Sequence, residues 1–140
     1  MIEEIKIIKE PEIAYYKTSD GDIFKRKENA EFHEKTLQLN EKMRRLKSYK
    51  CAYYCKAQED FDLLLDWLAY NYCDFKDGLL NPCYLYNKTE FRGVDWYFID
   101  PYKYEQYKDE EIKLKIQTLS DKIEEFLLDC KMFSELENLD

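Results

Sequence analysis

The only histidine of this 140-residue chain, His33, is the first candidate for chemistry, because an imidazole readily exchanges protons near neutral pH. It falls between Ala30 and Leu37 on the apolar stripe of a predicted helix, which favours a hydrogen-bonded packing role. No serine or cysteine stands in a motif that places a nucleophile beside this histidine. We therefore assign no catalytic residue and expect a protein that is not an enzyme.

Five cysteines are the next candidates, as metal ligands or disulfide partners, but none of them lies in a Cys-X-X-Cys motif. Cys51 and Cys55 fall in a predicted strand, where residues four positions apart are separated by roughly 13 Å. That separation is too large for a disulfide or for a shared small metal site. We expect free, mostly buried thiols in a reducing compartment, with no metal site and no cofactor. Gly-rich phosphate-binding loops are also absent from the sequence.

Basic side chains gather at the end of a helix predicted over residues 28–47. Residues 25–50 carry nine basic and four acidic groups. Cations at this position complement the negative end of the helix dipole, and this effect explains much of the cluster. The alternative is an anion site in which Arg44, Arg45 and Lys47, with aromatic side chains, hold the phosphates and base of a nucleotide signal.

Acidic groups and tyrosines are concentrated in the last third of the chain, where residues 91–140 carry seven basic and thirteen acidic groups. With a net charge of −8, the chain is not expected to bind nucleic acid or an anionic membrane directly. An acidic surface can instead compete with nucleic acid for a basic groove on a protein, with tyrosines as anchors. The alternative is an ordinary solvated face. The predicted contact residues are Tyr102, Tyr104, Tyr107, Asp109, Glu110, Glu111, Asp121, Glu124 and Glu125.

The elements that must position these residues give an α+β fold, expected to be a single domain over residues 1–140. The sequence predicts a short strand at Ile5–Ile8, then a hairpin from Ile13 to Phe24 with Gly21 at its turn. The helix over 28–47 and a strand over 50–57 follow. A central buried helix is predicted over 59–73, since its apolar residues leave only Asp62 and Asp66 for water.

The second half is predicted to contain another hairpin and a long final helix. The hairpin pairs Cys83–Tyr86 with Val94–Ile99, bends near Gly93 and ends at Asp100-Pro101. The final helix is predicted from an N-cap at Asp109 to Phe133, and its apolar stripe also permits a homodimer through a coiled coil. Neither a secretion signal nor a membrane-spanning stretch is recognised, so we expect a cytoplasmic protein.

Two segments carry a resemblance to a known group of proteins. Tyr16-Lys-Thr-Ser-Asp-Gly-Asp-Ile-Phe24 followed by Asn29-Ala-Glu-Phe-His-Glu34 resembles the hairpin-plus-helix opening of small acidic phage-encoded proteins, among them anti-CRISPR and other anti-defence inhibitors. The resemblance implies an inhibitor in the bacterial host cytoplasm that blocks an immune nuclease, a nucleic-acid-binding defence effector, by protein–protein contact. It transfers no functional residue. Sequestration of a nucleotide signal and a structural homo-oligomer remain the alternatives.

Overall fold

The computed structural model describes residues 2–7, 13–71, 73–76, 79–82, 90–103 and 112–139. Its described elements form an α+β fold, as the sequence predicted. They are β1 (Glu3–Ile7), β2 (Ile13–Lys17), β3 (Ile23–Phe24), α1 (Lys27–Met43), β4 (Ser48–Tyr49), β5 (Ala52–Cys55), α2 (Gln58–Asn71), β6 (Cys73–Lys76), β7 (Leu79–Pro82), β8 (Asp95–Lys103), β9 (Ile112–Thr118) and α3 (Leu119–Glu137).

Contacts divide the chain into two compact units. The first unit comprises Met1–Arg45 and Asp62–Cys83, and the second comprises Leu46–Phe61 and Tyr84–Asp140. Helix α2 therefore contributes its first turn to the second unit and the rest of its length to the first. The single-domain interpretation of the sequence stays a prediction.

The predicted N-terminal hairpin is confirmed in the first unit. Strand β2 pairs antiparallel with β3 on one side and with β1 on the other, giving a three-stranded sheet. In the turn, the Thr18 backbone N–H donates to the Asp22 carbonyl at 2.9 Å. Gly21 has φ +92°, a left-handed conformation that favours glycine, and this explains the Asp-Gly signal in the sequence.

Helices α1 and α2 pack together in the first unit, as expected for a helix that is apolar on two sides. Leu64 and Leu68 of α2 are buried, while Asp62 and Asp66 are exposed. The side of α2 that carries Trp67 and Tyr70 faces α1. Two contacts show this: Trp67 Nε1 donates to Asn40 Oδ1 at 2.9 Å, and the rings of Tyr70 and Phe32 stack at 5.3 Å. The central-helix prediction is confirmed up to Asn71, but Cys73, predicted as its last residue, begins strand β6.

Helix α1 ends at Met43, so the prediction that it continues to residue 47 is wrong. The chain instead enters the strand pair β4–β5, in which the Tyr54 backbone N–H donates to the Lys47 carbonyl at 2.8 Å. Lys50, with φ 54°, makes the tight turn between these strands. Strand pairing therefore takes the backbone groups that a longer helix would have used.

The second unit is built on an antiparallel sheet of order β4-β5-β8-β9. Tyr97 of β8 is fully buried, and its ring lies 5.1 Å from that of Phe61, in the first turn of α2. The Tyr97 hydroxyl accepts from the Arg92 N–H and donates to the Gly93 carbonyl, both at 2.9 Å. A large aromatic side chain is thus buried without leaving its polar atom unpaired.

Strand β8 is longer than predicted, since it continues through Asp100 and Pro101 to Lys103. The β5 register covers only Asp95 to Phe98, so at Pro101 the described pairing is with β9 alone. Such an edge position tolerates a residue without a backbone N–H. The predicted partner of this strand, Cys83–Tyr86, lies outside the described residues, and the two neighbours of β8 in its sheet are β5 and β9 instead.

The long final helix was predicted to start too early, because residues 112–118 form strand β9. Leu114, Ile116 and Thr118 are buried, an alternation with the period of a strand. Helix α3 begins only at Leu119, with Thr118 as its N-cap. The predicted N-cap, Asp109, lies outside the described residues.

Candidate functional site

Helix α3 follows directly from strand β9, and a capping box sets the junction. The Asp121 N–H donates to Thr118 Oγ1 at 3.1 Å, and the Thr118 N–H donates to Asp121 Oδ2 at 3.3 Å. This reciprocal pair satisfies two backbone donors at the start of the helix. The direction in which α3 leaves the sheet is therefore set locally, by residues adjacent in sequence.

The first two turns of α3 are joined to neighbouring residues of the second unit by polar contacts. In addition, Lys122 lies over the Phe98 ring, with its Nζ 4.7 Å from the ring centroid. The contacts all fall at residues 119–125, which anchors the start of the helix. They are Ser120 Oγ to Asp95 Oδ2 at 2.7 Å, Lys122 Nζ to Asp100 Oδ2 at 3.1 Å, Arg92 to Asp121 at 2.7 Å, and Gln117 Nε2 to Glu125 Oε1 at 2.6 Å.

The apolar side chains of α3 are exposed to solvent. No residue of the helix is buried, and its large apolar side chains are between 37% and 66% exposed. Residues at helical spacing form what we call the α3 apolar face: Leu119, Ile123, Phe126, Leu127, Cys130 and Phe133. A second set on another side consists of Leu128, Met132 and Leu136. An apolar surface of this extent on one helix is typical of an interaction site.

Three of the predicted contact residues, Asp121, Glu124 and Glu125, lie together at an open cavity of about 400 Å³ between α3 and β9. Arg92 and Lys115 line the same cavity, so it carries charges of both signs. Asp121 is ion-paired with Arg92, and therefore contributes less to the acidic surface than its formal charge suggests.

The remaining predicted contact residues divide into two groups. Tyr102 lies in β8, opposite Lys113 of β9. The other five, which are Tyr104, Tyr107, Asp109, Glu110 and Glu111, lie outside the described residues. Their role in a contact surface stays a prediction.

The predicted anion site begins where α1 ends. Arg44 is the C-cap of α1 and pairs with Glu41 at 2.8 Å, and Arg45 follows it. Lys47 belongs to the second unit, where its Nζ lies 6.0 Å from the Tyr54 ring. Arg45 and Lys47 were predicted to lie on α1. Because this helix ends at Met43, neither of them does.

A cluster that the sequence did not indicate lies where the hairpin turn meets α1. His33 Nε2 is 2.7 Å from Asp20 Oδ2 and 3.3 Å from Asp22 Oδ2, and its ring lies 5.1 Å from that of Phe24. His33 is thus hydrogen-bonded, as expected, but its partners are turn residues more than ten positions away. The only available signal was the Asp-Gly-Asp turn placed shortly before a helix that contains the histidine.

Two further contacts hold this turn against α1. The Ser19 N–H and its hydroxyl both donate to Glu34 Oε2, at 2.9 and 3.0 Å. The Thr18 hydroxyl donates to Asp20 Oδ1 at 2.5 Å. The hydrogen bond from the Thr18 hydroxyl, with the smaller effect of His33, holds the pKa of Asp20 well below its ordinary value.

The described thiols are free, as expected, but only Cys55 of the three is buried. Burial raises the pKa of the Cys55 thiol to about 12. This side chain is therefore a protonated part of the core and not a nucleophile. Cys51 and Cys130 are exposed, contrary to the expectation of mostly buried thiols.

Comparison with known proteins finds no matching family model, no matching curated protein and no matching solved structure. Within the part of the chain that the structure describes, no helix combines the length and the apolar character needed to cross a membrane.

Proposed function

We propose that this chain is a binding protein that acts without catalysis, by laying α3 into an apolar groove with a basic rim on another protein. The observation that carries the proposal is that α3 has 19 residues, none of them buried, and exposes large apolar side chains along its length. An amphipathic helix that docks in a groove is a recurrent mode of recognition.

The α3 apolar face is large enough to support such a complex. Phe126 and Phe133 are 66% and 65% exposed, and Leu127 is 61% exposed. Covering a side chain of this type contributes about 1 to 2 kcal/mol when roughly two thirds of it is removed from water. Several such residues together offset an association cost of roughly 4–15 kcal/mol.

The charge of α3 favours a basic partner over a second copy of the chain. Between Leu119 and Glu137 there are six acidic residues and two lysines, which gives a net charge of two minus six, or −4. The whole chain has a net charge of −8. A homodimer through α3 would bring like charges together, whereas a basic groove would attract the helix.

A groove built to hold nucleic acid has the required sign, and it would be blocked by an acidic occupant. The class of partner we propose is therefore a nucleic-acid-binding bacterial defence effector, such as a CRISPR nuclease. The resemblance of residues 16–34 to phage anti-defence proteins supports the same class. In this proposal the protein works in the cytoplasm of the bacterial host.

The test is direct binding of the purified full chain to a panel of purified defence nucleases, with and without their nucleic acid, by biolayer interferometry. We expect a complex with a nucleic-acid-free effector whose Kd rises at least tenfold in the Phe126→Ala/Phe133→Ala double variant. Ile23→Ala is the matched control, because Ile23 is an apolar side chain 59% exposed on β3. Light scattering gives the oligomeric state of each variant.

Two outcomes would overturn the proposal. A stable dimer that the double variant converts to monomer would assign α3 to self-association. A monomer that binds no member of the panel, or binds equally well without the two phenylalanines, would remove α3 as the docking element.

A further inference from the structure

We propose that Asp20, Asp22 and His33 form a binding site for a divalent transition-metal cation, with Zn²⁺ as the best fit. Each of the three side chains offers one ligand atom, and these atoms all lie within 4.8 Å of one another. The site belongs to the first unit and does not depend on the proposed role of α3.

The spacing of these atoms is close to that of a coordinated set. Ligands about 2.0–2.2 Å from Zn²⁺ are separated from one another by roughly 3.0–3.6 Å. The imidazole nitrogen lies 2.7 Å from the Asp20 oxygen and 3.3 Å from the Asp22 oxygen. Side-chain shifts that lengthen the shorter of these two separations would therefore admit an ion between the ligands.

The electrostatics of the cluster also favour a cation. Two carboxylates converge on one imidazole nitrogen, and a single N–H on that nitrogen can donate a full hydrogen bond to only one of them. The more distant carboxylate, that of Asp22, then faces the negative charge of Asp20 across the cluster. A dication held by the lone pair of Nε2, with the ring proton on Nδ1, offsets the charge of both carboxylates at once.

Surrounding contacts hold the ligands in place without using the ligand atoms. The Thr18 hydroxyl and the Asp22 N–H both donate to Asp20 Oδ1, at 2.5 and 3.2 Å, which leaves Asp20 Oδ2 for the cluster. Packing of the His33 ring against Phe24 fixes the orientation of the imidazole.

The ligand types indicate which ion is suited. One imidazole with two carboxylates favours Zn²⁺ or a similar transition metal over Mg²⁺ or Ca²⁺, which prefer oxygen ligands alone. The side chains of His33 and Asp20 are only about one third exposed, at 29% and 34%, while Asp22 is 62% exposed. Solvent can therefore supply the remaining ligand, and binding would clip the hairpin turn to α1.

The experiment titrates the full chain, stripped of metal with a chelator and kept in a non-thiol reductant, with Zn²⁺ alone and with Mg²⁺ alone. His33 is the only histidine, so its imidazole ¹⁵N signals report the site without overlap. We expect Zn²⁺ to shift the Nε2 resonance in a saturable, one-to-one manner and to raise Tm, with Mg²⁺ far weaker. Asp22→Asn should weaken Zn²⁺ binding at least tenfold.

Asp66→Asn, an exposed aspartate of α2 in the same unit, is the matched control and should leave Zn²⁺ binding unchanged. Circular dichroism verifies that each variant is folded. An Nε2 resonance that does not move at millimolar Zn²⁺ would overturn the proposal. So would Zn²⁺ binding that is equally tight in Asp22→Asn, because the ion would then be held by the thiols or by other groups.

Discussion

At the scale of single residues, Thr118 decides where a strand becomes a helix. It is the last residue of β9, is buried, and caps α3 through its hydroxyl. The Thr118-Leu-Ser-Asp121 pattern is a capping signal that can be read in the sequence. The acidic run beginning at Asp109 is also typical of a helix start, which led to the earlier predicted boundary. The prediction followed the acidic run at Asp109 and missed the capping pattern at Thr118.

The Asp20 side chain gives a prediction about how the stability of the protein depends on pH. Because its folded pKa lies below the ordinary value of 3.8, its contribution to stability is present above that pH and is lost as the pH falls below it. We expect the Asp20→Asn variant to be less stable than the wild type at pH 7, and the difference to shrink between about pH 4 and pH 2. Urea denaturation across this range measures it.

The control for this prediction is Asp66→Asn, whose side chain is exposed on α2. Its effect on unfolding should be small and nearly constant over the same pH range. A stability difference for Asp20→Asn that stays constant or grows on acidification would contradict the assigned role of the Asp20 contacts.

At the scale of elements, the sequence correctly predicted the parts of the fold that depend on residues close together in the chain. The hairpin around Gly21 and the buried helix α2 were correct because turn residues and apolar periodicity encode them directly. Strand β9 was missed because Ile112, Ile116 and Leu119 also match a helical stripe. Its pairing with β8, distant in sequence, selects the strand. The Asp20–His33 contact was missed for a similar reason, since only the folded turn brings it about.

Residues 112–118 give a prediction that distinguishes the observed strand β9 from the helix that the sequence predicted there. In a strand, Leu114 and Ile116 share the buried face, so Leu114→Ala and Ile116→Ala should each reduce the free energy of unfolding by about 2–5 kcal/mol. Lys115→Ala, on the opposite face, should change it by less than about 0.5 kcal/mol. Guanidinium denaturation gives the three values. Tolerance of Leu114→Ala would favour the helical stripe instead.

At the scale of the whole molecule, the net charge is −8, and ion pairs within the chain change only where that charge is felt. At the start of α3, the negative charge of Asp121 is offset by Arg92, whereas the positive charge of Lys122 is offset by Asp100 of β8. Farther along α3, Asp129, Glu135 and Glu137 add negative charge. With Lys131 counted, residues 126–137 have a net charge of one minus three, or −2, so the distal part of α3 also presents negative charge to a partner.

This charge distribution makes the proposed complex sensitive to salt. Glu124→Lys/Glu125→Lys should raise the Kd for the effector and flatten its dependence on salt concentration, because fewer opposite charges are then screened. Glu28→Lys/Glu59→Lys is the matched control, with the same change in net charge at exposed positions on α1 and α2. Equal effects of the two pairs, measured from 50 to about 500 mM salt, would show that only overall charge matters.

The uncovered state of α3 has a consequence for the life of the protein in a cell. Quality-control chaperones and proteases act on polypeptides that expose apolar surface, and they remove such molecules continuously. A chain whose helix has no groove to occupy would be a substrate for that machinery, and one seated in its target would be shielded. Cellular abundance would then follow the amount of target present, so that surplus molecules are cleared without any dedicated regulator.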